Sequence, residues 1–281
     1  MSDHCCSHQN LNPADMPLTD EVEKRLVEAL LQSMLRPEAK VEHVEAGSTF
    51  IAVTAGGRMG LASLLGARPT ENEMLLTREL VGQRVSQAAG LLTSSSPFRI
   101  SLGLAALNAA DTPQATDVDE NDAPAEALIA ALGKDRTVGL VGAFPFVETL
   151  RQKVGELKLF ELRDIPGAIP RAQWDSALAG LDVLAVTGTA LLTRKMGYFL
   201  TQAARAETVV LGPSTPLSRA LFDCGADYLC ASVVIDPEPV LASIRAGLPF
   251  RDIKRQGGIR FIQWSRLENK TAPAMDTRAS R

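Results

Sequence analysis

Short, almost wholly apolar segments alternate with segments of helical spacing in the second half of the chain, and this alternation restricts the fold more than any other feature. The apolar runs are 137–141, 158–162, 183–187, 208–211 and 228–234, and the helical segments are 146–154, 172–179, 191–204, 217–222 and 238–246. Strands that are apolar on both faces are typical of parallel sheets covered by helices on two sides. Right-handed crossovers between them predict a Rossmann-like α/β domain, which we place at residues 128–262.

The first half has a different pattern, which predicts a smaller α+β domain over residues 19–110. Thr19 or Asp20 can cap a helix whose apolar stripe includes Leu26 and Leu30. Apolar alternation at 40–45 and 49–54 predicts a β-hairpin, followed by a glycine-rich turn at 56–60. Helical spacing returns at 80–92 and 99–110.

Segments with few large apolar residues mark the limits of these two domains. Residues 111–127 are rich in Asp and Glu and are predicted to form an acidic linker. Residues 1–18 and 263–281 are predicted to be flexible tails. A chain of 281 residues is long enough for two separate cores.

Charge and hydropathy exclude several classes of partner. The formal net charge is -4, so no basic excess is available for a nucleic-acid backbone. No apolar run approaches the ~20 residues that span a bilayer, and residues 1–17 do not resemble a signal peptide. We therefore expect a cytoplasmic protein that binds neither nucleic acid nor membrane, and its assembly as a homo-oligomer is left open.

Four predicted loops combine glycine or proline with polar side chains at the carboxyl ends of strands, where ligands bind in parallel sheets. The predicted ligand-binding residues in these loops are Gly142, Phe144, Pro145, Glu161, Thr187, Gly188, Thr189, Gly212, Pro213, Ser214 and Thr215. Small residues let a ligand approach the backbone, and hydroxyls can donate to it. The alternative interpretation is that they only form tight turns and cap helices.

The first of these loops resembles a dinucleotide-binding fingerprint in part. Gly142 follows an apolar strand, and Glu161 comes 19 residues later, where an acidic side chain could bind a ribose hydroxyl. However, the third glycine of the fingerprint is absent, and Phe144 and Pro145 would crowd a pyrophosphate. The residues therefore disfavour dinucleotide binding.

Thiols and imidazoles suited to soft metals are concentrated near the start of the chain. His4, Cys5, Cys6 and His8 form a candidate metal site, although the same residues could be an unstructured segment with reactive thiols. Cys224 and Cys230 are expected to be buried and inert. The basic cluster of Arg251, Lys254, Arg255 and Arg260 is expected to be a solvated face, with an anion-binding role as the alternative.

Several of these segments resemble a prokaryotic family named for putative heavy-metal chelation and known largely from anaerobes. The resemblance lies in residues 139–146, Glu161, 187–191 and 212–217, and further upstream in residues 60–62 and 101–109. It implies a Rossmann-like domain packed on an N-terminal domain with an enolase-N-like fold, with a cleft between them. It also implies a role in handling heavy metals or metal-containing cofactors. Thr193 stands where the resemblance implies asparagine, and Ala143 stands where relatives can carry histidine, so both weaken a direct transfer of ligand roles.

Three functional hypotheses follow. The first is a protein, catalytic or not, that binds a non-nucleotide small molecule, a metal or a metal complex. Its site would be the cleft formed by Phe144, Glu161, Thr189, Ser214 and Thr215. The second is an enzyme that binds a nucleotide or pterin-like cofactor at the strand ends. The third is an accessory protein without catalytic turnover.

Overall fold

The computed structural model describes residues 18–66, 69–113 and 124–266, which form one sheet in each half of the chain. In chain order the elements are α1 (Glu21–Gln32), β1 (Val41–Ala46), β2 (Phe50–Ala55), β3 (Arg58–Ser63), α2 (Glu71–Glu79), α3 (Val85–Ala89), α4 (Pro97–Asp111), α5 (Ala125–Leu132), β4 (Thr137–Val141), α6 (Val147–Arg151), β5 (Glu156–Phe160), α7 (Trp174–Ala179), β6 (Val183–Thr187), α8 (Met196–Gln202), β7 (Glu207–Leu211), α9 (Arg219–Asp223), β8 (Tyr228–Val234), α10 (Pro237–Arg245), α11 (Phe250–Gln256) and β9 (Ile259–Ser265). Short 3-10 helices lie at Gly90–Thr93, Arg171–Gln173 and Gly188–Ala190.

The N-terminal half begins as its sequence predicts and then departs from it. The side chain of Asp20 caps α1 by accepting hydrogen bonds from two backbone N–H groups, and Leu26 and Leu30 are buried. The hairpin of β1 and β2 is confirmed. The predicted glycine-rich turn at 56–60 is wrong beyond residue 57, because Arg58 already pairs with Ala55 and begins β3. The result is a three-stranded antiparallel meander.

The C-terminal half contains a six-stranded sheet in the order β5-β4-β6-β7-β8-β9. The first five strands are parallel, which confirms the predicted α/β fold, whereas β9 pairs antiparallel with β8 and was not predicted. The chain first adds β5 on one side of β4 and then adds β6 on the other side. The strand order therefore reverses between β4 and β6, and sheets of this kind bind ligands outside such a switch point.

The two sheets share apolar cores across the boundary between the halves. Because alternate residues of a strand face opposite ways, Ile51 and Val53 of β2 join a core that also contains Leu184 and Val186 of β6. Their neighbours Phe50 and Ala52 pack in a second core with residues of α10, α11 and β9. A third core covers the other face of the six-stranded sheet. The small sheet is thus buried on both faces, and the two halves pack on each other extensively.

Helix α4 lies at the centre of the N-terminal half. It is the longest helix among the described residues, with 15 residues, and nearly all of them are buried. It contacts β2, β3 and α3, which explains why its sequence is apolar around its whole circumference. Within the described ranges, none of the helices has both the length and the apolar character needed to cross a membrane.

Three predicted boundaries fall inside ordered elements. Asp111 is the last residue of α4, and α5 begins at Ala125, so both ends of the predicted linker at 111–127 are helical. The predicted tail at 263–281 starts within β9, because Gln263 to Ser265 continue the pairing with β8. Leu18, the last residue of the predicted tail at 1–18, packs against the core. The exact division into domains and the enolase-like fold stay predictions.

Candidate functional site

A cavity of about 480 Å³ lies between the two halves, at the carboxyl ends of β4, β5 and β6. Its lining comprises Ser63, Leu65, Gly66, Val141, Gly142, Ala143, Phe144, Phe160, Glu161, Leu162, Arg163, Asp164, Arg171, Trp174, Thr187, Thr189, Ala190, Thr193 and Phe199. Its position is the switch point of the parallel sheet, and its volume is within the range of small-molecule pockets. We call this cavity the cleft.

Five of the predicted ligand-binding residues line the cleft: Gly142, Phe144, Glu161, Thr187 and Thr189. They come from the first three of the four loops singled out by sequence. Gly142 has a φ of 104°, a conformation open to glycine but costly for other residues. This turn brings the first loop against the third, since a Cβ on Gly142 would lie 3.3 Å from the side chain of Thr187.

The carboxylate of Glu161 joins the first loop to the segment that follows β5. It accepts hydrogen bonds from the backbone N–H groups of Ala143 (3.0 Å) and Arg163 (3.1 Å) and from the Arg163 guanidinium (3.1 Å). Burial acts to raise the pKa of Glu161, but the bonds from Arg163 and Ala143 outweigh burial, so the pKa lies below its ordinary value. Glu161 is therefore an ionised group that holds two loops together.

Threonine hydroxyls form another part of the cleft wall. The hydroxyls of Thr187 and Thr189 are 2.9 Å apart, and the Thr187 oxygen also accepts from the Thr189 N–H. The Thr193 hydroxyl donates to the carbonyl of Ala190. All three side chains are half-buried, so this wall offers neutral hydrogen-bonding groups and no charge.

The fourth loop has a different environment, because the N-terminal half packs directly onto it. The Ser214 side chain is fully buried, and its hydroxyl oxygen accepts a hydrogen bond from the Ser63 N–H (2.9 Å). Ser214 Oγ is also 3.2 Å from Ser63 Oγ. The structure places six of the predicted ligand-binding residues outside the cleft lining, namely Pro145, Gly188, Gly212, Pro213, Ser214 and Thr215.

Sequence reasoning missed the charged and aromatic groups that follow β5. Arg163 and Asp164 come two and three residues after Glu161, so the position of the strand end could have indicated them. Arg171 and Trp174 lie at the end of an irregular segment whose course no sequence signal reports. Ser63 also has no local sequence signal, because it reaches the cleft from the N-terminal half.

No group of three or more His, Cys, Asp or Glu side chains suited to holding a metal ion occurs in residues 18–66, 69–113 and 124–266. The candidate metal ligands His4, Cys5, Cys6 and His8 lie outside the described residues. Cys230 is buried as predicted, and burial raises the pKa of its thiol to about 12. The expectation of burial is wrong for Cys224, which is exposed because it follows the end of α9 at the surface.

The basic cluster at residues 251–260 lies away from the cleft. Arg251 and Arg255 both contact the carboxylate of Asp252, at 3.4 and 3.1 Å. Lys254 lies 4.4 Å from the centre of the Phe261 ring. None of the four basic residues lines the cleft, and the three on α11 are exposed, which agrees with a solvated face.

Comparison with known proteins places this architecture in a family. Two family models, DUF364 and DUF4213, both described as putative heavy-metal chelation, match residues 126–263 and 27–110.

No curated protein matches the chain. A DUF364-family protein of unknown function from Desulfitobacterium hafniense shares the fold, with a TM-score of 0.77 and 21% identity over 88% of this chain and 100% of that one. A second, from Pyrococcus horikoshii, has a TM-score of 0.67 and 17% identity over 86% and 100%. The two models together match most of the chain, which therefore belongs to the family described as putative heavy-metal chelation, with DUF364 in its C-terminal half and DUF4213 in its N-terminal half.

Proposed function

We propose that the cleft binds a small organic molecule, or a metal ion already held by one, and does not chelate a bare ion through its own side chains. The observation that carries this proposal is the chemistry of the lining. Aromatic side chains such as Phe144 and Trp174 stand beside threonine hydroxyls and a few charged groups. Mostly apolar walls with a small number of directed polar groups are typical of sites for organic ligands.

A bare heavy-metal ion does not fit this set of donors. Soft and borderline ions prefer thiolate and imidazole ligands, and the cleft lining contains neither Cys nor His. Of its two carboxylates, Glu161 already accepts three hydrogen bonds. The description of the family is compatible with this lining if the metal enters as a complex whose organic part contacts the protein.

A second candidate is an enzyme that holds a nucleotide or pterin-like cofactor in the cleft. The position of the cleft at the switch point between β4 and β6 favours it, because open parallel sheets bind such cofactors there. The first loop does not favour a pyrophosphate, since the N–H of Ala143 is already bonded to Glu161. A cofactor bound through a flat ring fits the lining better than one bound through a diphosphate.

Native mass spectrometry with elemental analysis of the full chain, purified without oxygen, tests the proposal. We expect an added organic mass, with any metal in fixed ratio to it. Thr189→Trp should abolish this mass, because the larger side chain would occupy the cleft. Thr201→Trp is the matched control, since Thr201 is exposed on α8 and outside the lining.

A variant with His4, Cys5, Cys6 and His8 all changed to Ala separates the cleft from the candidate metal ligands near the start of the chain. We expect this variant to keep the added mass. The proposal would be contradicted if the parent bound metal without an organic mass, if the fourfold Ala variant lost that metal, and if Thr189→Trp kept it. An organic mass without metal would favour the cofactor candidate, and no added mass in any sample would favour an accessory protein.

A further inference from the structure

Four charged side chains line the cleft, and two of them neutralise each other. Glu161 and Arg163 form an ion pair at 3.1 Å, with the Glu161 side chain only 10% exposed. Arg171 and Asp164 remain. Both are exposed, and they form no ion pair with each other within 4.0 Å. The charge that a ligand would meet outside the Glu161–Arg163 pair is therefore set by these two groups.

Arg171 is held in place without a carboxylate. Its Nη2 donates to the carbonyl of Leu162 at 2.8 Å, and its guanidinium carbon lies 5.9 Å from the centre of the Trp174 ring. No carboxylate of the described residues lies within ion-pair distance of it. A guanidinium has five N–H donors, and only one of the five N–H groups of Arg171 has an acceptor among the described residues. The cation is thus oriented at the cleft with most of its donors unused.

Aromatic side chains next to Arg171 form an apolar part of the cleft wall. Trp174 is buried, and its indole N–H donates to the carbonyl of Ile169 at 2.9 Å, which fixes the ring. The ring also packs edge-on against Phe160 at 5.9 Å. Both aromatic residues line the cleft, so a fixed apolar wall lies directly beside the cation.

We propose that Arg171 selects a ligand with an acidic group, a carboxylate, sulfonate or phosphate, attached to a flat apolar or aromatic body. The body would pack along Trp174 and Phe144 while the acid takes the free donors of Arg171. A planar guanidinium matches the two oxygens of such an acid and binds them more strongly than it binds a neutral acceptor. The inference rests on the cleft being the ligand site.

Two fluorescent probes with similar ring systems test this selection on the intact chain. Anilinonaphthalene sulfonate carries an acid, and N-phenylnaphthylamine is its uncharged counterpart. For Arg171→Gln we expect the dissociation constant of the sulfonate to rise about tenfold, while that of the neutral probe stays within about twofold. Arg171→Lys should bind the sulfonate more tightly than Arg171→Gln but less tightly than the parent, because it keeps the charge and loses the paired donors of the guanidinium. Arg205→Gln, at an exposed arginine outside the cleft, should change neither constant.

The outcomes separate failure of the inference from failure of the cleft as a site. If Thr189→Trp abolishes binding of both probes but Arg171→Gln leaves their ratio unchanged, the role of Arg171 is wrong and the site stands. If Arg171→Gln weakened the binding of both probes equally, acid selection would likewise be overturned, because the substitution would then have disturbed the packing of the cleft wall. If neither probe binds the parent, or if Thr189→Trp has no effect on either, the cleft itself is not the site.

Discussion

The third and fourth strand-end loops have similar sequences and opposite environments. Thr187 ends β6, and Gly188 and Thr189 follow it. The fourth loop, residues 212–216, follows β7 with the same combination of glycine and hydroxyls. The third loop presents Thr187 and Thr189 to the cleft. The fourth is covered by the end of β3, and Ser214 has no exposed surface.

The difference shows that these residue types report a tight turn at a strand end but not what covers it. Where no other element covers the loop, its hydroxyls face a cavity. Where Ser63 approaches, the hydroxyl of Ser214 satisfies a backbone N–H that would otherwise be buried without a partner. The fourth loop is thus part of the packed interface between the two halves. The following variants test the contrast between this buried loop and the third loop, which faces the cleft.

The largest effect is expected where the two loops touch. A Cβ on Gly188 would lie 2.6 Å from the Thr215 backbone N and 2.7 Å from the Ser214 carbonyl carbon. Because backbone atoms cannot move aside easily, we expect Gly188→Ala to lower the free energy of unfolding by about 3 kcal/mol in urea titrations. Gly180→Ala is the control, since its Cβ would contact nothing closer than 3.9 Å. Equal stability of the two variants would show that the loops are not packed as described.

Two carboxyl groups, those of Asp111 and Glu161, show a similar contrast in how many hydrogen bonds they accept. Asp111 is buried and accepts one hydrogen bond, from the Leu35 N–H, while its Oδ2 has no partner among the described residues. Burial raises the pKa of Asp111 to about 7, against the opposing effects of Leu35 and Arg36. Glu161, with its three donors, has a lowered pKa instead.

A raised pKa in the folded state means that Asp111 favours folding at low pH and that this contribution is lost as the pH rises through about 7. We expect Asp111→Asn to be more stable than the parent by about 2 kcal/mol at a pH above 8, with a difference that shrinks towards pH 4. Urea titrations across this range measure it, with exposed Asp223→Asn as control. A difference that does not vary with pH would contradict the raised pKa.

A matched pair of hydroxyl deletions compares the two loops directly. Ser214→Ala leaves the Ser63 N–H buried without a partner, so we expect a loss of about 1.5 kcal/mol in the free energy of unfolding. Thr189→Ala removes a half-buried hydroxyl at the cleft and should cost less than about 0.5 kcal/mol. If Thr189→Ala lowers the free energy of unfolding as much as Ser214→Ala does, the third loop also has a structural role in packing.

At Glu161 we expect a smaller loss than for Ser214→Ala. In Glu161→Gln one amide oxygen must replace two carboxylate oxygens that accept from Ala143 and Arg163. We expect a loss of about 1 kcal/mol at neutral pH. Because the pKa of Glu161 is lowered, its contribution is present above its ordinary pKa and lost as the pH falls through the lowered value. Urea titrations of parent and variant should therefore converge in acid, and a constant gap would argue against the ion pair.

The sequence predicted the elements that have clear periodicity and local signals. The five parallel strands follow from their two-sided apolar composition, and α1 follows from Asp20 and its stripe. The strand β9 was missed because Ile259–Ser265 is only half-buried and pairs antiparallel at the edge of the sheet. The strand β3 was missed because its residues follow two glycines that resemble a loop.

The candidate site was predicted in part for a related reason. Gly142, Glu161 and Thr187 are close to strand ends, where topology alone brings residues together. Arg171 reaches the cleft only through the irregular course of residues 161–170, and Ser63 only through packing of the two halves. Such long-range contacts have no local sequence signal, so only the folded chain reveals them.

The location of bound metal in the protein purified without oxygen tests the account most directly. Anomalous X-ray diffraction from its crystals would locate every heavy atom. We predict that any such atom lies in the cleft near Thr189 and Trp174, linked to the protein through an organic ligand. A metal ion coordinated directly by His4, Cys5, Cys6 or His8, with an empty cleft, would contradict the account.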